Sequence, residues 1–332
     1  MKYAVIGTSW ITQSFIDGAK IHGEMIPDAV YSRDEKRGGE FALKNGASRV
    51  FTDLDALASS SVDAVYIASP NAFHARQTEK MLKAGKHVLC EKPVTVTPAE
   101  LEYLMDLADR NGVIYAEAIM YMFNPARNIL RNALGEIGKI TSANLDFSQL
   151  SSKYPAYKRG ELPNIFNPSM AAGCLEDLGI YCVYPALDLF GEPENIKASA
   201  AFLESGADGS GNASFEYGDK TVTLTYSKLG QSRSYSQIFG DEGTILLESV
   251  SKLTDMKIVF NDGSEKALIG DVPKEQLMGF EADGFSKLVS SPDKTKEFYS
   301  LLRKSALATS KAMEKIRSEA GIKFDYTPIT EE

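Results

Sequence analysis

The sequence predicts an α/β chain in two parts. Residues 1–120 read as a doubly wound parallel sheet, and residues 121–332 as an α+β domain with a largely antiparallel open sheet. Two observations carry this reading. Through residue 118, short apolar runs alternate with amphipathic stretches, the pattern of strand–helix–strand units around a parallel sheet. Beyond residue 120 the pattern changes to strand-like runs joined by Gly/Asp turns, with helices before and after them.

In the first part the apolar runs fall at 3–6, 26–31, 49–51, 64–68, 87–90 and 113–116. Helical stretches lie near 11–22, 35–45, 54–59, 72–84 and 98–110. Strands that are apolar throughout fit a sheet covered on both faces. Thr97-Pro98-Ala99-Glu100 is a capping box with proline at the first helical position, which marks a helix start. In the second part a helix is expected over 124–134, an alternating strand over 139–150, a loop over 151–168 and a helix over 170–190. Strands follow near 195–204, 211–217, 220–228, 233–239, 244–248 and 256–260, then helices near 274–290 and 294–319. Asp208-Gly209, Gly218-Asp219 and Asp262-Gly263 read as hairpin turns.

The 332 residues are 43% hydrophobic and 24% charged, enough for two cores. A net charge of −9, with no run of Lys or Arg, argues against nucleic acid or an anionic membrane as partner. The opening apolar run is too short for a signal peptide or a membrane span, so a cytoplasmic location is expected. Cys90, Cys174 and Cys182 are odd in number, widely spaced and in apolar surroundings, which reads as reduced core thiols. All three histidines (His22, His74 and His87) lie in the first 90 residues and no HExxH is present, so no metal site is expected. An acid or base from the second part must be Tyr, Lys, Asp or Glu.

The first strand–turn–helix reads Gly7-Thr8-Ser9-Trp10-Ile11-Thr12. A dinucleotide fingerprint has glycine at the first, third and sixth of these places, where tight turns and a close pyrophosphate need it. Only Gly7 is retained; Ser9 and Thr12 are small substitutes. The second strand ends at Ser32 and Arg33 instead of the acid that accepts from an NAD ribose. With Arg37 nearby, this neutral-then-cationic end suits a 2′-phosphate, hence NADP in preference to NAD. A solvated arginine beside a helix capped by Asp34 is the plainer alternative. Ser69-Pro70-Asn71 closes the fourth strand, with His74 one turn into the next helix. It is either a turn and cap or a loop on the nicotinamide side. Glu91-Lys92-Pro93 ends the fifth strand, where such sheets bind ligands. Asp177 and Tyr181 stand four apart on the helix over 170–190 and so share a face. Tyrosine, with a pKa near 10, is a weak base at neutral pH unless an ammonium such as that of Lys92 favours its phenolate. A buried Tyr bonded to Asp is the structural alternative.

Ser69-Pro70-Asn71-Ala72-Phe73-His74 and Ala84-Gly85-Lys86-His87-Val88-Leu89-Cys90-Glu91-Lys92-Pro93, at their spacing, resemble the glucose-fructose oxidoreductase / inositol dehydrogenase family. Gly173-Cys174-Leu175-Glu176-Asp177-Leu178-Gly179-Ile180-Tyr181 resembles its second-domain motif, and Tyr181, where many members have His, resembles the dihydrodiol and xylose dehydrogenase branch. The resemblance implies a Rossmann domain, with Tyr181 as acid/base and Lys92 as its partner. It also implies a homodimer or homotetramer formed through the second-domain sheet. The chain departs from the family at Ser9 and Thr12 and near Tyr184 and Pro185, and from the branch at Met122-Phe123-Asn124-Pro125. Residues and resemblance together predict an NAD(P)-dependent oxidoreductase of a sugar, polyol or related small carbonyl compound, with Lys92, Tyr181 and Asp177 catalytic. The expected cofactor contacts are Gly7, Thr8, Ser9, Trp10, Ile11, Ser32, Arg33, Arg37, Ser69, Pro70, Asn71, His74, Glu91 and Lys92. The other class considered is a non-catalytic NAD(P)-binding sensor of the same fold, toward which the altered glycine turn leans.

Overall fold

A computed structural model describes residues 1–330. The chain divides by its contacts into two units. The first comprises Met1–Phe123, Pro273–Leu307 and the tail from Thr327; the second comprises Asn124–Val272 and Ala308–Tyr326. Residues 273–307 group with the first unit, because the helix starting at Lys274 packs along the first helix of the chain. Gly18 and Gly279 allow that approach, since a Cβ on Gly18 would lie 2.6 Å from the Gly279 nitrogen.

The first unit begins with β1 (Lys2–Ile6), α1 (Trp10–His22), β2 (Ile26–Tyr31), α2 (Glu35–Asn45), β3 (Arg49–Phe51) and α3 (Leu54–Ala58). It continues with β4 (Ala64–Ile67), α4 (Asn71–Lys83), β5 (His87–Glu91), α5 (Pro98–Asn111), β6 (Tyr115–Ala118) and α6 (Met120–Phe123). The six strands are parallel in the order β3-β2-β1-β4-β5-β6, the Rossmann arrangement. The order reverses between β1 and β4, so the loops after these two strands flank the switch point where such sheets bind ligands. Ala4, Ile6, Val65, Ile67, Val88 and Cys90 fill the core under the sheet. The Thr97–Glu100 capping box forms as expected. β6 starts two residues later than its apolar run because Val113 N–H closes onto Ala108 O in the C-terminal cap of α5.

The second unit carries α7 (Ala126–Ala133), β7 (Ile140–Ser148), α8 (Tyr154–Lys158), a π-helical turn (Leu175–Gly179) and α9 (Ile180–Phe190). The helix expected over 124–134 starts two residues later, at Ala126, with Pro125 as its N-cap, because helical geometry is disfavoured at a residue before proline. Then come β8 (Asn195–Phe202), β9 (Asp208–Tyr217), β10 (Lys220–Ser227), β11 (Ser236–Gly240), β12 (Gly243–Ser249), β13 (Thr254–Phe260) and β14 (Glu265–Ile269). The order β14-β13-β12-β11-β7-β10-β9-β8 is antiparallel except at the β7–β10 pair. Strand β14 was not expected: it is an exposed edge whose Glu265 and Lys266 hide the alternation. Gly218-Asp219 and Asp262-Gly263 do turn between strands, but Asp208-Gly209 does not. Asp208 opens β9 with its side chain buried, and the turn lies upstream, where Leu203 N–H donates to Ala207 O. The chain closes with α10 (Lys274–Ser290) and α11 (Pro292–Ala320). Among the described residues no helix is long and apolar enough to cross a membrane, and no group of His, Cys, Asp and Glu could hold a metal ion.

Candidate active site

The turn after β1 answers the question raised by its missing glycines. Gly7 has φ +113°, and a Cβ there would sit 2.6 Å from Ala68 O, so this position demands glycine. Ser9 has φ −88° and ψ 175°, extended backbone open to any residue. Thr12 is buried, with its Oγ1 3.4 Å from Ser9 Oγ. The substitutions thus fill the turn without straining it. No side chain caps α1 and its first turn holds no acid. That leaves the first-turn N–H groups, at the positive end of the helix, without a side-chain acceptor, which suits a pyrophosphate.

At the end of β2, Ser32 is buried and its Oγ accepts from Asp34 N–H at 3.2 Å. Asp34 caps α2 through Arg37 N–H. The exposed Arg37 guanidinium reaches back and donates to Thr8 O at 3.3 Å, so the two turns are joined by a cation. Arg33 is exposed alongside. No carboxylate occupies the β2 end where an NAD ribose would be bound, and the residues present fit a phosphorylated ribose. Trp10 is 68% exposed at the start of α1, and the Lys274 ammonium lies 3.8 Å from its ring centroid. Lys274 was not foreseen, since nothing in its own sequence surroundings marks it.

Two residues expected at the cofactor turn inward. His74 is 1% exposed, with Nδ1 2.9 Å from Pro93 O and Nε2 2.8 Å from Ser69 O. The two carbonyls favour an imidazolium, but burial outweighs them and pushes the pKa down. A neutral ring donates to one of them only. His74 therefore lies between the Ser69 and Pro93 carbonyls and donates to one of them. Glu91 is buried and accepts from the Tyr66 hydroxyl in the interior of the sheet. Lys92 follows, half-buried, in a cis Lys92–Pro93 segment that Glu117 secures by accepting from Val94 N–H at 2.8 Å. Ser69 donates to Gln77, and Pro70 and Asn71 open α4.

In the second unit, Asp177 and Tyr181 do not lie on one continuous α-helix. Asp177 belongs to the π-helical turn and Tyr181 to the first turn of α9. Such turns are rare and recur at functional sites. This one is built in: Asp208 accepts from Leu175 N–H at 2.7 Å, and a Cβ on Gly173 would overlap the Asp208 carboxylate at 1.8 Å. Gly179 lies against the Tyr226 ring. Tyr181 is half-buried, edge-on to Phe147 with ring centroids 5.4 Å apart. Lys228 Nζ pairs with Asp177 Oδ2 at 2.5 Å. Lys228 was also missed, although a signal for it exists. It continues the inward alternation Val222, Leu224, Tyr226 by two more residues.

A Rossmann sheet with a glycine turn at its switch point, followed by an α+β unit, defines a two-domain protein of the dinucleotide-binding class. The chain belongs to the GFO/IDH/MocA oxidoreductase family. Residues 1–119 match the oxidoreductase family with NAD-binding Rossmann fold, and residues 126–246 match the GFO/IDH/MocA C-terminal domain. The scyllo-inositol 2-dehydrogenase (NADP(+)) IolU of Bacillus subtilis is 37% identical over 98% of both chains. The trans-1,2-dihydrobenzene-1,2-diol dehydrogenase of Mus musculus is 31% identical over 69% of this chain and 68% of its own. In fold, the chain resembles KijD10, a 3-ketoreductase from Actinomadura kijaniata solved with NADP and TDP-benzene, with TM-score 0.85, 22% identity and 99% coverage of each chain.

Proposed function

We propose that the protein is an NADP-preferring dehydrogenase or reductase interconverting a hydroxyl and a carbonyl group on a sugar or polyol. The observation that carries this reading is the full-length similarity to an NADP-dependent scyllo-inositol dehydrogenase. The Ser32, Arg33 and Arg37 side chains at the end of β2 support the phosphorylated cofactor. The turn of Gly7, Thr8, Ser9, Trp10 and Ile11 would hold the pyrophosphate, and the loops at Ser69–Asn71 and Lys92 the nicotinamide side. When bound, the nicotinamide supplies the hydride acceptor or donor.

The chain's own residues supply orientation and proton transfer. Tyr181 exchanges the proton of the substrate hydroxyl. The Lys92 ammonium favours the Tyr181 phenolate and polarises the substrate oxygen. Asp177 orients the substrate. Positioned proton transfer of this kind is worth roughly 10²–10⁴ in rate. The fully buried, unpaired Cys90, Cys174 and Cys182 suit the reducing cytoplasm. The eight-stranded sheet supports assembly into a dimer or tetramer, because Phe239, Leu246 and Val259 are half-exposed opposite a core face of Ile238, Ile245, Leu247 and Ile258.

The test is a titration with NADPH and with NADH followed by the emission of Trp10, the one tryptophan of the chain. Turnover of scyllo-inositol, other inositols and D-xylose with NADP+ is then measured. Tight NADPH quenching, weaker NADH quenching and polyol oxidation are expected. Binding of neither nucleotide, or turnover of no sugar or polyol, would overturn the reading.

A further inference from the structure

We propose that Lys228 is a positioning residue of the substrate site, acting by holding the Asp177 carboxylate in one orientation on the π-helical turn. The proposal rests on the reading of Asp177 as a substrate-orienting group. Lys228 is 2% exposed. An ammonium taken out of water is retained only when it is paired, because the desolvation cost is several kcal/mol per ion. Two carboxylates face it. Asp208 is buried at the start of β9 and already accepts from Leu175 N–H, and burial raises its pKa. Asp177 has a side chain 41% exposed, and it is the one that the ammonium contacts, at 2.5 Å.

That choice separates a purely structural ion pair from a positioning one. A lysine recruited to stabilise the interior would meet the buried acid. This lysine comes through the interior to fix the half-exposed one. Its own geometry leaves little freedom. Lys228 N–H donates to Gly209 O and Lys228 O accepts from Ser151 N–H, both at 2.9 Å, so the main chain is pinned on both sides. The ammonium also lies 5.5 Å from the centre of the buried Phe166 ring. The other titratable groups around it offer no competing charge: burial pushes the Cys174 thiol and the Tyr226 phenol up, so both stay neutral, and Glu176 is paired with Arg317. The turn is otherwise buried but the Asp177 side chain is 41% exposed, so packing alone does not fix its rotamer, and the Lys228 contact selects one.

The test is a double-mutant cycle on the full chain, with NADP+ and whichever polyol is turned over in the screen above. Lys228→Met is expected to lower kcat/KM about tenfold, a transition-state loss near 1.4 kcal/mol, while Trp10 quenching by NADPH stays within about twofold. In an Asp177→Asn background the same change is expected to cost less than about twofold, because its route of action is already gone. If Lys228→Met melts below the assay temperature, Lys228→Gln, which keeps a polar donor, carries the same cycle. Wild-type activity in the Lys228 variant alongside an impaired Asp177→Asn overturns the proposal and leaves the role of Asp177 standing. Additive losses also overturn it, since Lys228 would then act by another route. Full activity of Asp177→Asn, or turnover of no polyol, overturns the reading of the site and this proposal with it.

Discussion

Glu176 and Arg317 meet at 2.6 Å inside the second unit, both side chains shielded from water. The acid stands on the π-helical turn next to Asp177, and the guanidinium on α11, so the turn that carries the candidate substrate group is anchored from the C-terminal end of the chain. A buried pair of this kind contributes little relative to an apolar pair, but losing one partner strands the other charge. Arg317→Met is therefore expected to destabilise the protein by about 3–5 kcal/mol, read from urea or thermal unfolding. Near-wild-type stability would show that Glu176 finds another partner or a proton.

Lys92→Met removes the one group proposed both to favour the Tyr181 phenolate and to polarise the substrate oxygen. Turnover is expected to fall by about 10²–10⁴, with the affinity for NADPH changed by no more than a few-fold. Turnover retained within a few-fold would remove Lys92 from the mechanism. Steady-state kinetics and Trp10 quenching measure the two quantities separately.

Arg37→Ala breaks the link from α2 to Thr8 O and removes a cation from the β2 end. About a tenfold weaker binding of NADPH is expected, with NADH within about twofold. Equal losses for both nucleotides would mean that Arg37 supports the shape of the turn and does not read the 2′-phosphate.

Glu281 of α10 is 1% exposed and neither carboxyl oxygen has a hydrogen-bond partner. Burial, followed by the charges of Glu91 and Glu117, pushes its pKa well above the ordinary carboxylate range. The unfolded chain releases this proton in the ordinary range and the folded chain holds it, so the group lowers stability as pH rises above about 4.5 toward the folded value. Glu281→Gln mimics the protonated acid at every pH. Its melting temperature relative to wild type is expected to rise between about pH 4.5 and pH 8. A difference independent of pH would show that Glu281 is ionised in the fold.

The local signals in the sequence were readable wherever neighbouring residues settle the structure. Apolar runs and amphipathic periods located the strands of the first sheet and the helices between them, and Thr97-Pro98-Ala99-Glu100 located the start of α5. They worked less well where distant parts meet. Asp208-Gly209 has the composition of a hairpin turn, yet Asp208 is engaged by Leu175 N–H, thirty-three residues before it. His74 and Glu91 stand where cofactor contacts are expected, yet His74 lies between the Ser69 and Pro93 carbonyls and Glu91 accepts from Tyr66 inside the sheet.

By itself the sequence determined the parallel sheet, the glycine at position 7, the cationic end of β2 and the family motifs around Lys92 and Tyr181. Each depends on side-chain period or backbone preference over a few residues. Only the tertiary structure decided that Ser9 needs no positive φ, that Asp177 sits on a π-helical turn, and that residues 273–307 join the first unit. It alone set Lys228 on Asp177 and Lys274 over Trp10. A pairing between groups fifty or more residues apart depends on the path of the whole chain, because charge and burial act through space and leave only a faint trace in local sequence.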